Sequence, residues 1–252
     1  MPDLPALALA AGAGCIGGAM NALAGGGTFA TLPALIALGL PANAANATSN
    51  VALLPGAVAS AAEYRDELGP VASMPVGMLA AITFAGGLAG SLLLVLTPAR
   101  EFDFIIAWLL LLAFLVMLFG RSASDWLHQR VTIGRRTLVA AQSVLAIYGG
   151  YFGGGVGLMM TATYGLLANA HPRSLFSLRT LLLATANFAA AILFIAVGLV
   201  HWRACLPMLA GAVIGGWVGA KLGKGLPNAL VRIWTLFVTA ATTFVFFARA
   251  YG

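Results

Sequence analysis

Only 8% of this 252-residue chain is charged, 61% is hydrophobic, and the mean hydropathy is +0.99. A soluble domain carries about 25% charged residues, so the composition excludes a soluble globular protein and implies an integral membrane one. The net charge of +6 fits basic cytoplasmic loops rather than a nucleic-acid partner.

In chain order, the apolar runs have the length of helices. No alternating strands of the β-barrel kind appear, so an all-α membrane protein is predicted. The first run, 4–24, has only Asp3 nearby and no basic flank, and it reads as a retained membrane segment rather than a cleaved signal peptide. It ends at Gly25–Gly26–Gly27. Each glycine weakens a helix by ~1 kcal/mol relative to alanine, so a break is predicted there. Runs 28–40, 44–62, 71–96 and 102–120 complete the first half. The stretch 121–136 contains Arg121, Asp125, His128, Arg130, Arg135 and Arg136 and reads as a cytoplasmic linker between a first repeat, 1–120, and a second, 137–252. Runs 137–152, 156–169, 174–199, 203–223 and 228–250 follow, the first two separated by Gly153–Gly154–Gly155. Cys15 and Cys205 lie inside apolar runs without metal-ligand spacing and read as small core residues.

The halves resemble each other. Gly25–Gly27 aligns with Gly153–Gly155, Pro41 with Pro172, Gly86–Gly90 with Gly215–Gly219, and Pro98 with Pro227, at offsets between 128 and 131 residues. Charge then distinguishes inverted from parallel repeats. If each glycine break makes a hairpin that turns back within the membrane, each half has three further crossings and the second half is inverted. Nine basic residues then lie on the cytoplasmic side against three outside; if the broken pairs cross fully, the split is seven to five. The positive-inside rule favours inversion, with both termini outside the cytoplasm. One hairpin then enters from each face, and the two tips converge, as alternating access requires.

Several residues around those tips suit an anion. The half-helices after each triplet begin with amides that lack intrahelical partners, so Gly26, Gly27, Gly154 and Gly155 are expected to present N–H groups to a small oxyanion. Thr48, Ser49 and Asn50 lie one to two turns into a helix, with Asn46 on the face of Asn50, and are read as ligand-facing; helix capping is the bland alternative for Asn43. Arg179, followed by Thr180 and later Asn187, sits at the repeat position matching Thr48. An arginine at that depth faces an anion or water, or else snorkels to lipid or holds backbone carbonyls. All seven carboxylates fall at segment ends or in loops, which points to the substrate as its partner. Asn21, Tyr148 and Tyr151 flank the tips as further donors, with aromatic packing the alternative for the tyrosines.

Other patterns carry less. Gly12–Gly17 formally fits a dinucleotide fingerprint but follows no strand. The small-xxx-small pairs Gly14/Gly18, Gly86/Gly90 and Gly211/Gly215/Gly219 mark close helix packing within one subunit or a homodimer seam. No nucleotide loop, nucleophile set or metal motif occurs, so no enzyme activity, cofactor or metal is expected.

Gly25-Gly26-Gly27-Thr28-Phe29-Ala30-Thr31-Leu32-Pro33, followed by Gly39-Leu40-Pro41 and Ala47-Thr48-Ser49, resembles the TauE/SafE sulfite exporter family. Gly149-Gly150-Tyr151-Phe152-Gly153-Gly154-Gly155 and Arg173 through Arg179-Thr180 resemble its second repeat. The resemblance covers nearly the whole chain. It implies a bacterial inner-membrane carrier of small sulfur-containing anions such as sulfite, sulfoacetate or thiosulfate. The expectation is an organosulfonate or sulfite exporter working by alternating access, with an uptake permease for thiosulfate or another organic anion, or a passive anion channel, as the alternatives.

Overall fold

Glycine and proline mark several of the helix boundaries, at Gly25, Gly39, Pro98, Gly153 and Gly198. The computed structural model describes residues 4–63, 65–70, 74–128, 135–168, 172–223 and 228–251. Among them are ten α-helices: α1 Leu4–Ala24, α2 Thr28–Ala37, α3 Ala42–Glu63, α4 Val76–Leu96, α5 Ala99–His128, α6 Arg135–Tyr151, α7 Val156–Ala168, α8 Pro172–Ala196, α9 Trp202–Gly223 and α10 Asn228–Tyr251. Both triplets break the chain as expected: Gly25 and Gly153 each adopt φ of 75°, a left-handed conformation that a side chain disfavours.

Among the described residues, six helices are long and apolar enough to cross a membrane: α1, α4, α5, α8, α9 and α10. α3 has the length but is less apolar, because it carries Asn43, Asn46, Thr48, Ser49 and Asn50. Apart from the half-buried Asn43, those polar groups are hidden rather than offered to lipid: residues 44–53 are all buried. The outside of the bundle is apolar, with Leu93, Trp108, Ile214, Phe237 and Phe244 all exposed, as hydrocarbon solvent allows.

α5 is longer than the run 102–120 from which it was expected. It continues to His128, since 121–128 contains no glycine or proline to stop it, so the first half of the polar stretch is helical. Residues 129–134 and His171 lie outside the described residues, as do the side chains of Arg121, Asp125, His128 and Arg173.

Contacts between helices repeat under exchange of the two halves. α1 packs on α9 as α6 packs on α4, α3 on α9 as α8 on α4, and α2 on α10 as α7 on α5. The two partners related by this exchange, α5 and α10, touch each other and run antiparallel. Arg249 pairs with Asp103 at 3.5 Å and the Trp108 indole N–H donates to the Tyr251 hydroxyl at 2.8 Å at one end, while Arg232 donates to the Leu118 carbonyl at 3.1 Å at the other. Equivalent long helices pointing in opposite directions fit inverted repeats.

The small-xxx-small pairs lie in seams within this chain. A Cβ on Gly14, Gly18, Gly211 or Gly215 would fall on a backbone carbonyl of the facing helix in the α1–α9 pair. Gly90 and Gly150 do the same in the α4–α6 pair, against Ile147 and Gly87. Backbones approach this closely only where no side chain intervenes, and dispersion and close packing then hold the pair.

Candidate functional site

The two broken tips meet. A Cβ on Gly25 would lie 2.7 Å from the Cα of Gly157, and one on Gly157 would lie 2.9 Å from the Cα of Gly25. The tips also lie against the central helices α3 and α8, which supply the polar side chains.

At the first tip, the Gly25 amide bonds back to the carbonyls of Met20 and Asn21, and the Gly27 carbonyl receives the amides of Ala30 and Thr31. The Thr31 hydroxyl also donates to Gly27 at 3.2 Å and shares a hydrogen bond with the Ser49 hydroxyl, which fixes α3 to the hairpin. The amides of Gly26, Gly27 and Thr28 take part in none of the turn and cap bonds among the described residues. They are the uncommitted donors of a helix start, at the positive end of its dipole. Asn21 packs beside Gly27 and is buried.

Arg179 reaches this tip from α8. It is only 4% exposed, and its Nη2 donates to the Ala22 carbonyl at a long 3.4 Å. Its Cδ would lie 3.5 Å from a Cβ on Gly157. The guanidinium therefore sits at the C-terminal end of α1, where the helix dipole favours a cation. It faces protein, not lipid. Thr180 follows it and is equally buried.

At the second tip, the amides of Phe152 and Gly153 both bond back to the Tyr148 carbonyl, and the Tyr148 hydroxyl donates to Gly154 at 2.8 Å. The amides of Gly154, Gly155 and Gly157 enter none of the turn and cap bonds of the described residues. Asn46 crosses from α3 and donates to the Tyr151 carbonyl at 3.0 Å. Asn50 donates to Oδ1 of Asn187 at 3.2 Å, and a Cβ on Gly153 would lie 3.9 Å from that oxygen and 4.0 Å from the Asn50 amide nitrogen.

Arg179, Ser49, Asn50, Asn187 and Asn21 thus lie around the joined tips formed by the four glycines, and Thr180 is buried beside Arg179 on α8. Two expected residues are directed elsewhere. The Thr48 hydroxyl accepts the His201 amide at 3.0 Å and so serves the start of α9. The Tyr151 hydroxyl lies 3.3 Å from that of Thr97, and its ring stands edge-on to Phe102; its backbone carbonyl, not its phenol, reaches the tip. Asn46 and Thr31 enter the arrangement more directly than the sequence suggested. The signal for Asn46 was its i, i+4 relation to Asn50 on a helix face. Among the described residues no group of three His, Cys, Asp or Glu could hold a metal ion.

The side chains of Asn21, Ser49, Asn50, Arg179, Thr180 and Asn187 are all buried. Two surface cavities, of about 450 Å³ beside Arg135 and Arg136 and about 170 Å³ beside Arg100, Asp103 and Arg249, lie away from them.

A family model described as sulfite exporter TauE/SafE matches residues 10–246. The chain is 29% identical to a probable membrane transporter protein of Haemophilus influenzae, over 90% of either chain. It is 29% identical to the probable membrane transporter protein YfcA of Escherichia coli K12, over 89% of this chain and 83% of that one. A probable membrane transporter protein of a Sinorhizobium species, ORF9, is 27% identical over 90% of this chain and 86% of its own. No solved structure matches.

Proposed function

This chain belongs to the TauE/SafE family of multi-pass inner-membrane transporters, and on that premise we propose that it exports small sulfur-containing anions, sulfonates or sulfite, by alternating access at the joined glycine tips. The observation that supports this most is the place of Arg179. It is the charged side chain in the buried set of the described residues, and it lies where two half-helix starts converge. A guanidinium and free amides answer the tetrahedral oxygens of a sulfonate in direction and charge. Thr180 and the amide groups of Asn50 and Asn187 orient those oxygens without further buried charge, while Ser49, whose proton goes to Thr31, holds α3 to the first tip. The linker 121–136 faces the cytoplasm. An anion moving outward follows an inside-negative potential, worth ~2.3 kcal/mol per charge per 100 mV.

Binding of sulfite, thiosulfate, sulfoacetate, taurine and a carboxylate analogue to the purified protein tests the assignment. One sulfur anion binds best, Arg179→Ala weakens it by at least ~10-fold, as expected for a lost charge-assisted hydrogen bond, and Arg179→Lys recovers part of the loss. Equal binding by a folded Arg179→Ala protein, or preference for the carboxylate, sinks the reading. Currents far above carrier turnover would mark a channel instead.

A further inference from the structure

The two tips end their incoming helices in different ways, and the second leaves two acceptors unused. Oδ1 of Asn46 and Oδ1 of Asn50 are buried and accept no hydrogen bond, in residues only 2% and 7% exposed. They lie four residues apart on one face of α3. The orientation of Asn46 is set by its partner: only an amide nitrogen can donate to the Tyr151 carbonyl, so its oxygen is the atom left over. An unsatisfied buried acceptor costs about 1–3 kcal/mol, and two on one face imply a group that both can serve.

The end of α6 adds to them. Because the Gly153 amide returns to Tyr148, the carbonyls of Gly149 and Gly150 receive no turn bond from the residues that follow. They point out of the negative end of a helix. Gly150 is the repeat counterpart of Ala22, by the offset of the triplets. At Ala22 the end of α1 is met by the Arg179 guanidinium. The counterpart of Arg179 is Thr48, which is turned to His201. The second helix end therefore has neutral amides where the first has a fixed positive charge.

Resting on the transporter reading above, the geometry points to a binding site for a small monovalent cation of the sodium class at the second tip, formed by Oδ1 of Asn46, Oδ1 of Asn50 and the terminal carbonyls of α6. Neutral oxygens at the end of an interrupted helix suit such an ion. A divalent cation is disfavoured because it draws on carboxylates, and no acidic cluster lies among the described residues. The bound ion does for α6 what Arg179 does for α1. Since the tips touch, it also adds positive charge beside the anion, so each ligand strengthens the other reciprocally.

The test uses purified full-length protein in detergent, in N-methylglucamine chloride, titrated with sodium, lithium or potassium chloride. Radiolabelled sodium binding and the thermal midpoint are read. Sodium binds saturably and raises the midpoint; Asn46→Ala weakens sodium at least ~10-fold, and Asn50→Asp, which adds a carboxylate to the same face, tightens it. No saturable binding by folded wild type, binding of potassium alone, or wild-type sodium affinity in both Asn46→Ala and Asn50→Leu overturns the site. The anion panel is run in parallel with and without sodium. Sodium binding with no sulfur anion bound sinks the substrate assignment and leaves the cation site standing; anion binding with no sodium bound does the reverse.

Discussion

At the first tip the Ala22 carbonyl in the last turn of α1 meets a guanidinium, and at the second the Tyr151 carbonyl at the end of α6 meets a neutral amide. The backbone around them agrees at the first glycine of each triplet, which is left-handed and returns its amide to the previous turn, and both half-helices start with uncommitted N–H groups. It differs at the third glycine, left-handed at Gly155 (φ 74°) and right-handed at Gly27 (φ -58°), and it differs most in the side chains that carry charge. A transporter with two equivalent tips would present the same field from either side. Here the field is lopsided, with a permanent positive charge at one helix end and uncharged oxygens at the other.

The backbone half of that comparison is the easiest to break. Alanine at Gly25 must adopt φ of 75° and place its Cβ 2.7 Å from the Gly157 Cα, a backbone atom that cannot swing away. Alanine at Gly153 has the same φ, but its nearest atom is 3.3 Å away, the Gly149 carbonyl. The left-handed conformation alone costs about 1–2 kcal/mol. Gly153→Ala is expected to cost about that much, and Gly25→Ala at least about twice as much once backbone displacement is added. Thermal melting of the two variants in one detergent checks it, and equal losses would mean that the tips do not meet as described.

The charge half comes next. Removing the Arg179 side chain leaves the Ala22 carbonyl buried without that donor, and Asn46→Ala does the same to Tyr151. Each loss is expected at about 1–3 kcal/mol of stability. The two variants differ in their ligands: Arg179→Ala weakens the sulfur anion directly, while Asn46→Ala weakens it only when sodium is present. An Asn46→Ala protein whose anion affinity falls equally in sodium and in N-methylglucamine would place Asn46 in the anion site instead.

Much of this was legible before any coordinates. The triplets marked the breaks because glycine acts locally, and the depth of Arg179 followed from counting turns. What was hidden depended on contacts distant in sequence. Arg179 bonds a carbonyl 157 residues away, and nothing in the identity of Ala22 announces that its backbone is available. The extension of α5 through Gly120 to His128 is not legible in the apolar run, because polar residues end a hydrophobic stretch without ending a helix. Tyr151 illustrates a third kind of miss. Its position beside the tip was correct, but the direction of its ring depends on Phe102 and Thr97, which a helix ending at that residue gives no periodicity to predict.

Thr48 gives the smallest and most discriminating effect. By repeat alignment it is the partner of Arg179, and an argument from symmetry alone would give it to the anion. The fold turns its hydroxyl to the His201 amide, one of the donors that α9 cannot satisfy within itself at its start. Thr48→Val keeps shape and volume and removes only that acceptor. Loss of a buried hydrogen bond is expected to lower stability by about 0.5–1.5 kcal/mol, seen as a lower melting temperature. Anion and sodium affinities should stay within about twofold, well under the tenfold that ~1.4 kcal/mol would produce. A large fall in anion affinity at unchanged stability would show that the symmetry argument is the better guide, and that Thr48 serves the substrate as Arg179 does.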